Sequence, residues 1–111
     1  MQPDAPDVAI GLIAVLSDKE KEVRASAAEA LGYLTSPNRK TVLALGRAVH
    51  DGSHRVRLAA LQTLDKLGPK AQAAARSIHR ALQDPFPSVR EAAFEALRKV
   101  DRGWWPPRGD W

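Results

Sequence analysis

Asp18, Asp51 and Asp84 recur at an interval of 33 residues, and their surroundings keep step. Val23, Val56 and Val89 share the interval, as do Arg24, Arg57 and Arg90, then Ala27, Ala60 and Ala93, then Leu31, Leu64 and Leu97. The stretch before each Asp holds register too, through Leu12, Leu45 and Ile78 and through Leu16, Val49 and Leu82. No insertion interrupts the pattern. A fixed period of this size constrains the fold more than any other property of the chain. It marks a stack of like units, none of which buries its apolar face alone.

Each unit reads as two helices. In the second, the apolar positions Val23, Ala27, Leu31 and Leu34 lie on one face of an α-helix. Strand-like alternation of β-branched residues does not occur. Turn signals separate the helices: "TSPN" at 35–38, "HDGSH" at 50–54, "LGP" at 67–69 and "DPFP" at 84–87. Pro69 and Pro85 suit a loop or a first helical turn, not a helix interior. The pattern predicts an all-α solenoid of six helices, near 6–17, 20–34, 38–50, 54–67, 70–83 and 87–101. These form one domain over 1–102, with repeats of about 5–36, 37–69 and 70–102, and a tail at 103–111.

The repeated polar residues have a structural use. Each Asp can accept backbone N–H bonds at the start of the next helix. Each Arg, one turn later, can pair with such an Asp in its own or a neighbouring repeat. On this account Asp18, Arg24, Asp51, Arg57, Asp84 and Arg90 form a ladder. The competing account makes the three arginines ligand contacts.

The string from Asp18 to Leu34, D-x-x-x-x-V-R-x-x-A-x-x-A-L-G-x-L, resembles the short HEAT-like repeat found in phycobilisome lyases and many bacterial scaffold proteins. The resemblance covers about residues 7 to 101. Ankyrin repeats share the period, but their "TPLHxA" string does not occur, and neither does the tetratricopeptide pattern. The resemblance implies an α-solenoid whose second helices line a concave face. It implies a binding protein more often than an enzyme.

One row on the second helices avoids the apolar face and does not repeat. It comprises Ala25, Glu29 and Tyr33, then Leu58, Gln62 and Lys66, then Glu91, Glu95 and Lys99. A row that varies inside a constant frame is expected of a recognition surface. It is equally what unconstrained solvent positions would give, and Leu58 and Tyr33, both costly to leave in water, favour contact.

Charge is unevenly placed. Residues 37–80 carry nine basic and two acidic side chains, whereas residues 1–36 carry three and six. A basic middle repeat could meet an acidic protein or a phosphate backbone. Its basic residues divide between first and second helices, and no aromatic residue interleaves them for base stacking.

Catalytic signals are few. His50 and His54 flank Asp51 in a turn that supplies no third metal ligand, and His79 stands apart. No Gly-rich phosphate loop or nucleophile elbow occurs. The "RGD" at 108–110 has neither a cysteine-framed loop nor a signal peptide around it. No cofactor, metal or catalytic residue is expected. Cysteine is absent. The apolar run Val8 to Leu16 is nine residues long, too short to span a bilayer. A cytoplasmic protein, or an excised piece of one, is the expectation.

The two ends differ from the middle. Val8 to Leu16 has no polar side chain, although a terminal solenoid helix should turn a polar face outward. An all-round apolar helix implies burial on more than one side. The tail "GWWPPRGDW" holds three of the chain's six aromatic residues, and Gly103 is expected to end the last helix. Its indoles either cover the open core of the third repeat or dock elsewhere. Self-association through Ile10, Ile13, Trp104, Trp105 and Trp111 is therefore a further expectation. The reading as a whole is a non-catalytic scaffold or adaptor that binds another protein on its concave face. The alternatives are a nucleic-acid-binding scaffold using the basic middle repeat and an accessory subunit of a lyase-type enzyme.

Overall fold

The computed structural model describes residues 6–34 and 37–104. Among them there is no strand. Helices α1 (Pro6–Val15) and α2 (Lys21–Leu31) are followed by α3 (Arg39–Ala48) and α4 (His54–Leu67), then by α5 (Ala75–Arg80) and α6 (Pro87–Val100). The second helices α2, α4 and α6 pack side by side, with α4 in the middle. The arrangement is an α-solenoid.

Local chemistry sets the helix limits. Asn38 caps α3: its side chain accepts a hydrogen bond from the Thr41 N–H at 2.9 Å. Beyond Leu31, Gly32, Tyr33 and Leu34 each bond to the residue three before, so α2 ends in a tightened turn and not at the expected residue 34. The last helix ends at Asp101, not at Gly103. Asp101 leaves helical geometry, accepts the Gly103 N–H on Oδ1 at 3.2 Å, and accepts the Trp104 N–H on its carbonyl at 2.9 Å.

The segment expected to be one helix over 70–83 is not continuous. Gly68, at φ 61°, ends α4 in a conformation that suits glycine. A 3-10 stretch then runs Gly68–Ala74, interrupted at Ala71 (φ −97°, ψ 18°), and a second runs Ala81–Gln83 after the short α5. The local sequence marks where the break begins: Pro69, which has no N–H to donate, follows the positive-φ Gly68. Ala71, Ala74, Ile78 and Ala81 still all face inward, at the three- and four-residue steps of one helical face.

The core runs along the whole stack. Leu31, Leu64 and Leu97 are equivalent and essentially inaccessible, as are Leu45 and Ile78, and Ala60 and Ala93. Small residues bring the layers close: a methyl on Gly46 would stand 3.3 Å from Ser77 Oγ and 3.4 Å from Ala74 Cβ. Thr63 closes the first seam from the other side, donating its buried hydroxyl to the Ala28 carbonyl at 3.0 Å. The burial expected of α1 is not met among the described residues. No residue from Val8 to Leu16 is buried, and Ile10 is 65% exposed. Nothing in the described residues packs on the outer side of the first repeat.

Candidate functional site

The turn between the two helices of each repeat is built around its Asp. Asp18 Oδ1 accepts the Glu20 N–H at 2.8 Å, Asp51 Oδ1 the Ser53 N–H at 2.8 Å, and Asp84 Oδ1 the Phe86 N–H at 2.9 Å. Each is a side-chain turn two residues long. The arginines link these turns. Arg24 donates from Nε and Nη2 to both carboxylate oxygens of Asp51, at 2.9 and 3.0 Å, and from Nη1 to the carbonyl of its own Asp18 at 2.8 Å. Arg57 does the same one repeat on, to Asp84 at 2.7 and 3.2 Å and to the Asp51 carbonyl at 2.9 Å. The planar fork of arginine suits such paired contacts. Arg24 and Arg57 are thus engaged on both edges of the guanidinium. Arg90 keeps only the backbone half, donating from Nη1 to the Asp84 and Pro85 carbonyls.

Titration follows this geometry. Burial pushes the Asp84 carboxyl up, but the hydrogen bonds from Arg57 and the Phe86 N–H, with the charges of Arg57 and Arg90, outweigh it and hold the group below its ordinary 3.8. A carboxyl whose folded value is lowered adds stability that is complete above the ordinary value and is lost as pH falls through the lowered one. Unfolding measured across this acid range should therefore show a loss that is shallower in Arg57→Ala than in the wild type.

The non-repeating row of the second helices forms a surface. Glu29, Tyr33, Gln62 and Lys66 line a groove between α2 and α4, together with Thr63. Leu58, Gln62, Glu91 and Glu95 line a second groove, of about 370 Å³, between α4 and α6. Gln62 belongs to both, so the two grooves adjoin. Ala25 is half-buried and lines neither. Lys99 reaches across to α4, its ammonium 2.8 Å from Asp65 Oδ1. Tyr33, 75% exposed, lies under the Lys66 ammonium at 4.1 Å from the ring centre.

Four groove residues escaped the sequence reading: Thr63, Asp65, Ser88 and Ala92. Asp65 follows Gln62 by three, and Ser88 precedes Glu91 by three, so each shares a helical face with a residue of the row. A wider stripe would have included them.

Other residues singled out from the sequence lie elsewhere. Ile13 is half-buried against α3, lining a cavity with Leu16, Ala44 and Ala48. Ile10 borders a groove with Lys40, Leu43 and Arg47. Trp104 turns back onto the third repeat, edge-on to Phe94 at 5.7 Å and to His79 at 6.1 Å between ring centres. Trp105 and Trp111 fall outside the described residues. His54 stacks on Phe86 at 4.1 Å, with the Arg57 guanidinium over the same ring. Among the described residues no three His, Asp or Glu side chains are grouped to hold a metal ion, and no helix is long and apolar enough to cross a membrane.

The basic residues do not divide evenly between the two helix layers. Arg39, Lys40, Arg47, Lys70, Arg76 and Arg80 are exposed on the first-helix segments, where 39–50 and 68–83 contain no acidic residue. On α4, Arg57 is taken up by the ladder, leaving Arg55 and Lys66.

A search of curated proteins gives no match to the sequence. The family described as HEAT repeats matches residues 10–98, which takes in the ladder, both grooves and most of the core. The chain belongs to the HEAT-repeat family.

Proposed function

We propose that this protein is a non-catalytic scaffold that holds a protein partner against its second helices. One observation carries the reading. The positions that repeat serve the core and the ladder, while seven of the nine residues of the row that varies line two adjoining grooves sharing Gln62. The floor at Leu58 and Ala92 is apolar and the rim carries Glu91, Glu95 and Asp65. An apolar centre inside a polar rim is the usual build of a protein-binding site.

The test uses two sets of substitutions. Tyr33→Ala with Leu58→Ala should weaken a captured partner by about 1–3 kcal/mol, the value of two moderate interface contacts. Arg47→Glu with Arg80→Glu, on the first-helix layer, should leave that partner in place. The experiment is capture from native lysate with quantitative mass spectrometry, followed by titration of the purified partner. A partner that binds the groove variant as tightly as the wild type refutes the reading.

A second reading has one specific support: the six exposed cations on the first-helix segments have no acidic residue among them. A phosphate backbone is the alternative ligand for that layer. Binding of duplex or single-stranded oligonucleotide that weakens steeply with salt, and is abolished by Arg47→Glu with Arg80→Glu, would favour it. The accessory-subunit reading would instead require a partner enzyme whose activity rises when this chain is added.

A further inference from the structure

The ladder stops short at both ends of the same molecule, and the two unfinished halves are complementary. Asp18 is arranged like Asp51 and Asp84: its Oδ1 accepts the N–H two residues on, at 2.8 Å, and its backbone carbonyl accepts the Arg24 Nη1. In Asp51 and Asp84 both carboxylate oxygens also receive the fork of an arginine from the preceding repeat. Asp18 receives none among the described residues. Arg90 shows the converse. Its Nη1 is anchored on the Asp84 carbonyl at 2.7 Å, as Arg24 and Arg57 are anchored on Asp18 and Asp51. Its Nε and Nη2, the atoms that grip the next Asp in the other two repeats, have no partner among the described residues.

The surfaces behind these groups match in the same way. Val23 is 40% exposed, whereas Val56 and Val89, at the same position in later repeats, are inaccessible. Val8 is 48% exposed, whereas Thr41 and Ala74 in its register are buried. The later members of each set are covered by the repeat before them: Ala74 lies against Gly46 of the second repeat. The outer side of the first repeat is therefore a stacking face of the kind the chain covers twice within itself, small, apolar and edged by a prepared carboxylate.

We infer that a second copy of the chain docks on this face, its Arg90 completing with Asp18 the missing rung of the ladder. The occupant follows from continuity and charge. The interface between consecutive repeats already exists twice in the molecule, and among the described residues its donor and acceptor halves stand unpaired at opposite ends. A head-to-tail contact of this sort leaves a free donor and a free acceptor end on every assembly until a ring closes, so it adds copies with rising concentration. One group opposes it. Trp104 lies on His79 and Phe94, which hold the positions of Gly46 and Leu61 in the second repeat and face the place of a following one. Trp104 must move aside for the rung to form, so it restrains association.

Sedimentation velocity of the full chain over a concentration series tests this. The wild type should grow with concentration, and Trp104→Ala should do so at lower concentration. Asp18→Arg and Arg90→Asp, each alone, should raise the dissociation constant by at least about tenfold, since each sets like charges against one another. An equimolar mixture of the two variants should recover association. Arg90, intact in the Asp18→Arg variant, then meets Asp18, intact in the Arg90→Asp variant, and at the next junction the two substituted side chains meet with their charges exchanged. The inference is overturned if the wild type and Trp104→Ala both remain monomeric into the high micromolar range. It is equally overturned if association ignores the charges at 18 and 90, or if the mixture fails to recover it while both variants keep the wild-type helical circular dichroism.

Discussion

Arg57→Ala is expected to cost about 2–4 kcal/mol of folding stability, measured by urea unfolding of the full chain. The Arg57 and Asp84 side chains are only 12% and 7% exposed, so removing the guanidinium leaves a carboxylate with little water to replace it. The same change strips a donor from the Asp51 carbonyl. Arg57→Lys should recover only part of the loss, because one ammonium cannot span both carboxylate oxygens and a carbonyl on the turn before. Arg24→Ala should cost less, since its pair is more exposed, at 18% and 13%. Were Arg57 a ligand contact, melting temperature would hold and only partner affinity would fall. Unchanged unfolding in Arg57→Ala would overturn the structural role.

Leu64→Ala should be more damaging still, at about 3–4 kcal/mol for an inaccessible leucine whose site cannot collapse fully. Leu64 is fully buried on α4, which has a second helix on either side. In a linear stack, stability is shared between each unit and its neighbours, so a defect in the middle weakens two junctions. Leu31→Ala and Leu97→Ala, at equivalent positions in the outer helices, should each cost less. With whole-domain stability typically about 5–15 kcal/mol, the middle substitution takes a large share of it. Chemical denaturation of the three variants side by side checks the ranking; equal losses would contradict the nearest-neighbour account.

The solenoid was legible because its determinants are local and repeated. The spacing of Asp51 and Asp84 located two turns, and the valine and leucine series gave the buried faces without any knowledge of tertiary contacts. The ladder was legible as a pairing of residue types, but not in its connectivity. Only the stacked geometry decides that Arg24 reaches forward to Asp51 and not back to the carboxylate of Asp18, whose carbonyl it takes instead. The broken helix around Ala71 was illegible, because alanine favours helix and its inward spacing is that of an unbroken one; only Gly68 and Pro69 mark the place, and they read equally well as the start of a regular helix. An indole covering the third repeat was one of the two readings of the tail, but that Trp104 is the one, seated on Phe94, depends on the turn that Asp101 makes. For the candidate face, the varying row was readable from register, and a wider stripe would have taken in Asp65 and Ser88, whereas the place of Thr63 and Ala92 in the grooves depended on how α2, α4 and α6 sit against one another.

The ladder also sets where the molecule can bend. Two guanidinium forks tie together three successive turns, at Asp18, Asp51 and Asp84, along one edge of the stack. The opposite edge, where the second helices end, is joined by the exposed Lys99–Asp65 pair and by the contact of Lys66 with Tyr33. Exposed links of that kind yield far more readily than half-buried bidentate ones. The buried Thr63–Ala28 bond aside, the charged links are thus stiffest at the turn edge, which acts as a spine about which curvature changes pivot. The groove at Glu29, Tyr33 and Lys66 lies on the compliant side, while the second runs from Leu58 and Ser88 near the spine to Glu95; under the proposed function, a partner of different girth would be met by fanning the C-terminal ends of α2, α4 and α6 while the spine keeps the repeats in register.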